Sequence, residues 1–278
     1  MGYKSILVNL SGAHGHPYAL ATAIAVARAC DAHLEGIYVY EPPYYRYEFA
    51  YGAITADLEA QDQKARDAAE EAVKDFRNQA QQAGLQNVEW FYTSGDLLAT
   101  LTRRSHAADL VITEQLTPET DETHVGADLP ADLAIACGCP VLVVPRDEAA
   151  TAVPKRILIA WNGSRESARA VLDALPLLTR AEAVQILVAP RSTDEMESST
   201  GREVQRLLRH HGVDAQIEQV KQPDAGGAAH AIIGHAHAFG AELICMGAYG
   251  HSRLREIVLG GVTWRMLRRS ALPLLMSH

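Results

Sequence analysis

The sequence is written twice. YKSILVNLSG (residues 3–12) returns as PKRILIAWNG (154–163), HAADLVIT (106–113) as FGAELICM (239–246), and CPVLVVP (139–145) as LPLLMSH (272–278). From Asp109/Glu242 to Pro140/Pro273 the offset stays at 133 residues without a gap. A repeat of this length leaves few folds open, because each copy must bury the same apolar pattern around its own core. At 278 residues the chain also exceeds the usual size of one domain and fits two of about 140.

Within each copy, short apolar runs alternate with helical stretches. The first copy predicts strands near 4–9, 34–40, 88–93, 109–113 and 141–144, with helices near 16–31, 56–83, 96–106 and 127–137. The second predicts strands near 155–160, 184–188, 215–220, 242–246 and 273–276, with helices near 165–179, 197–211, 226–238 and 261–270. ILVNL, DLVIT and VLVV are apolar on both faces, as strands of a parallel sheet covered by helices must be. The expected fold is therefore α/β, two tandem doubly wound parallel-sheet domains over residues 1–147 and 154–278, joined by the linker RDEAATAVP (146–154).

Composition narrows the function. A net charge of −9 argues against a nucleic-acid binder, since duplex binding rests largely on Lys and Arg neutralising phosphates. YKSILVNL is too short an apolar run for a leader or a membrane span, which predicts a cytoplasmic chain with no membrane partner. Cys30, Cys137, Cys139 and Cys245 lack zinc-site spacing, and Cys137-Gly-Cys139 reads as small residues between a helix end and a buried strand rather than as a redox pair. His230, His235 and His237 have no carboxylate or thiolate at ligand spacing beside them, so no metal site is expected. No catalytic triad or paired-acid motif stands out, and no catalytic residue is assigned.

The chemistry concentrates in MGAYGHSRLREIVLGG (246–261), directly after an apolar strand. Ligands of such sheets bind at the carboxyl ends of the strands, where strand order reverses. Glycine at a strand end allows positive φ and close approach of a ligand to the backbone. Gly260 and Gly261 precede a helix, VTWRMLRRS, whose N-terminus offers N–H groups to an anion.

The spacing of Gly247, Gly250 and Gly260, G-x2-G-x9-G, resembles the nucleotide motif of the universal stress protein family, and the chain as a whole resembles a tandem member of it, with the adenine nucleotide alpha hydrolase-like fold. The resemblance implies ATP, with or without Mg²⁺, held by the second domain. It implies that Gly247 and Gly250 approach ribose and phosphates with Met246 and His251 beside them, and that Gly260 matches the third glycine. Gly261 stands where the family has Ser or Thr, with Val262 following, and Thr263 matches a second hydroxyl position. Asn162, after Ala160 and Trp161, replaces an acidic residue near the base, and Val188 and Ala189 would offer backbone groups to the adenine edge. A regulatory role in the stress response follows from the same resemblance. Two other readings stand beside it: a slow Mg²⁺-dependent ATP hydrolase or phosphotransfer enzyme using His251 or Ser252, and a binding module for a non-nucleotide ligand, with the aromatic loop 40–52 as its lid.

At the gapless offset the first copy carries Glu114, Thr117, Ala127 and Asp128 at the glycine positions. Two carboxylates about 4 Å from like charge at an effective dielectric near 20 repel by roughly 4 kcal/mol, which argues against a triphosphate there. The same two residues also suit turn and helix caps. The last strand of each copy is expected at a sheet edge, and in the resembled family dimers pair through these strands. The strands near 141–144 and 273–276 are thus expected to run antiparallel beside each other, making an intramolecular pseudo-dimer that leaves room for a homodimer, and proline at 143 or 275 is expected to loosen the pairing.

Overall fold

The computed structural model describes residues 2–11, 16–41, 55–115, 129–146, 153–188, 195–220, 227–249 and 261–278. The first copy runs β1 (Ser5–Asn9), α1 (Pro17–Cys30), β2 (His33–Tyr40), α2 (Thr55–Gln82), β3 (Val88–Ser94), α3 (Leu97–Ser105), β4 (Leu110–Glu114), α4 (Leu129–Ala136) and β5 (Val141–Val144). The second runs β6 (Arg156–Trp161), α5 (Arg165–Leu178), β7 (Ala183–Val188), α6 (Glu195–His210), β8 (Ala215–Gln219), α7 (Gly227–Phe239), β9 (Leu243–Gly247), α8 (Val262–Arg269) and β10 (Leu274–Ser277). These elements follow the periodicity closely. The aromatic loop beyond Glu41, together with Thr117, Ala127, Asp128, Ala189, Gly250, His251, Ser252 and Gly260, lies outside the described residues.

The ten strands among the described residues form one sheet in the order β3-β2-β1-β4-β5-β10-β9-β6-β7-β8. Among the described residues, pairing is parallel inside each copy and antiparallel only between β5 and β10, where Val143 faces Leu274, Leu142 faces Leu275 and Val141 faces Met276. Leu142 and Leu275 are equivalents at the 133-residue offset, so the register is unchanged when the two copies are exchanged. The expected antiparallel pairing of the last strands is present.

Which backbone groups cross this seam follows from the neighbours. Val111 N–H donates to Pro140 O (3.0 Å) and Gln115 N–H to Val144 O (2.8 Å), which turns the even-numbered residues of β5 toward β4. Ile244 N–H donates to Pro273 O (3.0 Å) and Ala248 N–H to Ser277 O (2.8 Å), which turns the odd-numbered residues of β10 toward β9. Val141, Val143, Leu274 and Met276 are left to bond across the seam. Proline at 275 would therefore disturb β9 rather than the junction, which corrects that part of the sequence expectation.

Helices cover both faces. α1, α2, α5 and α6 pack with Ile6, Val8, Ile112, Leu142, Ile157 and Ile159 on one side, in a cluster that includes residues of both copies. α3, α4, α7 and α8 pack with Leu7, Val111, Val143, Leu158, Ile244 and Met276 on the other. Alternate residues of each strand serve opposite layers, which is why these strands read as continuous apolar runs. The repeat extends to polar detail: Asp109 accepts from Lys4 N–H (2.6 Å), and its counterpart Glu242 accepts from Lys155 N–H (2.6 Å).

Candidate functional site at the strand-order switch of the second copy

In the second copy the strand order reverses between β6 and β9. Chains leaving these two strands turn to opposite faces and open a crevice at their carboxyl ends. Ala160 pairs with Met246, and Trp161 pairs with Val188 of β7, so the predicted residues at the ends of three strands come together at this switch point.

Gly247 ends β9 there, without the positive φ that was one of the two expected reasons for glycine. A Cβ on Gly247 would lie 2.6 Å from Ser167 N and 2.7 Å from the Glu166 carbonyl carbon, so glycine lets the strand end abut the first turn of α5. The left-handed residue is Tyr249, buried, with φ 52°. Its N–H donates to Thr263 Oγ1 at 3.2 Å, tying the start of the glycine-rich segment to the start of α8. Thr263 is buried, and its hydroxyl oxygen, by accepting here, supports the loop while its own O–H remains a donor. Gly261 is the N-cap of α8 and supplies no side-chain acceptor to the first turn, and half-buried Val262 opens the helix. That donor-rich, side-chain-free helix start fits an anionic group.

Two other predicted residues have partners of their own. Asn162 Oδ1 accepts from Ser164 N–H at 3.1 Å, closing the turn into α5. The Val188 carbonyl accepts from Val220 N–H at 3.1 Å, so that group already has a partner. Sequence reasoning missed Ser164, Glu166 and Ser167. Ser164 Oγ accepts from Ser167 N–H (3.1 Å) as the N-cap of α5, and Glu166 is buried in the first turn. Burial alone would raise the Glu166 carboxyl. Its contacts with Arg165 and the Ser164 hydroxyl outweigh burial and hold it below the ordinary value. The cap signature S-R-E-S was the signal available to find them.

The equivalent place in the first copy is filled from within. Glu114 ends β4, is buried, and accepts from the N–H groups of Tyr18 (2.9 Å) and Ala19 (3.1 Å) at the start of α1. His16 Nδ1 lies 3.1 Å and Arg146 Nε 3.3 Å from its other oxygen. The second ring nitrogen of His16 contacts the Ser11 carbonyl, and these two contacts hold His16 in the left-handed region at φ 48°. Glu114 thus caps a helix, the simpler of the two sequence readings.

Burial would raise the Glu114 carboxyl, but the hydrogen bond and charge of His16, the Ala19 amide and the Arg146 charge together lower it. A lowered carboxyl stabilises the fold fully above its ordinary value of 4.5 and loses that contribution as pH falls through the lowered value. Glu114→Gln is expected to cost about 2 kcal/mol near pH 7. In urea titrations the gap between variant and wild type should shrink as pH drops below 4.5. A gap independent of pH would show that the charge of Glu114 contributes nothing.

Burial pushes the Cys137 thiol up and the Cys139 thiol up to about 12, which keeps both protonated and unreactive at neutral pH.

Fold and switch point define a doubly wound α/β protein built from two fused copies. The sequence profile of the universal stress protein family matches residues 2–145 and again 154–278, and the chain belongs to that family. It is 26% identical over 204 residues to universal stress protein Slr1230 of Synechocystis sp., spanning 72% of this chain and 68% of that one. A universal stress protein from Archaeoglobus fulgidus shares the fold with a TM-score of 0.75 at 16% identity, covering 98% of this chain and 95% of that one. A functionally unknown protein from Pseudomonas aeruginosa gives a TM-score of 0.58 at 18% identity, covering 99% and 92%. Among the described residues no helix is long and apolar enough to cross a membrane.

Proposed function

We propose that the chain is an ATP-binding regulatory protein of the stress response, with one nucleotide held by the second copy and none by the first. The observation that carries this reading is the contrast at one position. The second copy ends β9 in Gly247, at the switch point, whereas the first ends β4 in Glu114, whose carboxylate already occupies the α1 N-terminus. The G-x2-G-x9-G spacing and the uncapped start of α8 support the same assignment. In this reading Gly250 and Gly260 approach the phosphates, Asn162 and Trp161 border the base, and Mg²⁺ accompanies the triphosphate. The two-fold-related register of β5 and β10 supports a further element, that one chain is the counterpart of a two-subunit assembly.

Titration calorimetry with ATP, with and without Mg²⁺, is expected to return one site per chain. Gly250→Asp and Gly260→Asp should each abolish it, since a fixed carboxylate beside phosphate repels by roughly 4 kcal/mol. Two equivalent sites, or a site that survives both substitutions, would contradict the assignment.

A further inference from the structure

The helix that opens the candidate site belongs to the second copy, yet its far end is held by the first. Gln115 directly follows Glu114, and its Nε2 donates to the carbonyl of Leu267 in the last turn of α8 and lies 3.4 Å from the carbonyl of Ser270. These carbonyls are among the acceptors a helix C-terminus leaves without intrahelical partners. α8 spans only eight residues, so the carbonyl end at Leu267 lies about 6 Å along the axis from Thr263. One short rigid helix therefore carries Gly261 and Thr263 at one end and the side chain of Gln115 at the other.

The contact has no two-fold counterpart. Ala248 is the counterpart of Gln115, and the two share a backbone role: Gln115 N–H donates to Val144 O and Ala248 N–H to Ser277 O, both at 2.8 Å. Alanine has no donor to return, so α4 receives no equivalent support from Ala248. The seam register is symmetric, but this brace runs one way, from the copy whose switch point is filled by Glu114 to the copy whose switch point carries glycine.

We infer that Gln115 is a positioning residue for the nucleotide site of the second copy, and that through it the first copy sets the placement of α8. This rests on the nucleotide reading above. Gln115 does not touch the ligand. It holds α8 so that Thr263 Oγ1 meets Tyr249 N–H and the helix start faces the crevice. Because Gln115 adjoins Glu114, a change in the His16–Glu114–Arg146 cluster reaches the same helix through one peptide unit.

The test compares Gln115→Ala, Gln115→Glu and Gln115→Lys in the full chain. The first loses the donor, the second sets a carboxylate against helix carbonyls, and the third restores a donor with favourable charge at a helix C-terminus. In the ligand-free protein, the amides of Arg265 and Ser270, which donate to Gly261 O and Met266 O, should exchange faster in the Ala and Glu variants and at the wild-type rate in Lys. ATP affinity should fall about fivefold in the Ala variant and about tenfold in the Glu variant, and return to near wild type in Lys. Unchanged exchange in α8 would overturn the positioning role, and faster exchange with unchanged affinity would overturn its link to the site. A wild-type chain that takes up no ATP while α8 still loosens in the variants would instead overturn the nucleotide reading and this link with it.

Discussion

Gly247→Val is expected to remove about 3 kcal/mol of stability, the upper part of the range for overpacking, because the obstacle is backbone. The first added carbon alone would lie 2.6 Å from Ser167 N and 2.9 Å from Glu166 Cβ. Neither can turn aside as a flexible side chain would. Ser167 N–H is fixed by the Ser164 cap, and Glu166 is buried. Either β9 withdraws from the sheet or α5 lifts from it, and each move opens the crevice between β6 and β9. Gly247→Ala should show the same effect at about 2 kcal/mol. Gly234→Ala in α7 is the matched control: nothing lies within 4 Å of its added Cβ, and a helical Gly→Ala change should stabilise by about 0.5–1 kcal/mol. Urea unfolding midpoints decide the matter. A Gly247→Val protein as stable as wild type would show that the strand end and α5 do not abut.

Much of this was legible because it depends on local pattern. The 133-residue repeat gave the two copies, the two-sided apolar runs gave parallel strands, and the last strands of the copies were the edges that needed pairing. At the site, sequence located the switch point and its glycines but not what each contact does. Gly247 looked like a flexible turn residue. A Cβ there is excluded by a helix contributed by residues 80 positions earlier, a distance no local pattern encodes. Thr263 stood out only as a hydroxyl position, and that its oxygen also accepts from the Tyr249 amide is a contact between loop and helix that spacing does not show. Glu114 could be read as facing a ligand or capping a helix, and only the packing of α1 against β4 separates the two. Gln115 carried no motif at all, since its meaning depends on the carbonyls of a helix 152 residues later.

Val143→Pro is expected to cost at least about 3 kcal/mol and to weaken the junction between the copies before it weakens either copy. Val143 faces Leu274, and by the parity of the neighbouring bonds its N–H and C=O both point at β10. Proline removes that N–H and leaves the Leu274 carbonyl without its donor in a strand that is fully buried. Leu275→Pro separates the causes, since its lost N–H faces β9 and would loosen the second copy internally. Hydrogen exchange in the wild type supplies the independent measurement. Amides of Val141, Val143, Leu274 and Met276 should be as slow as those of the central strands β1 and β6, because a seam in the middle of a ten-stranded sheet opens only when the sheet does. If those four exchange as fast as amides of the edge strands β3 and β8, the two copies are not joined by backbone pairing, and the brace from Gln115 to α8 would have no fixed frame to act from.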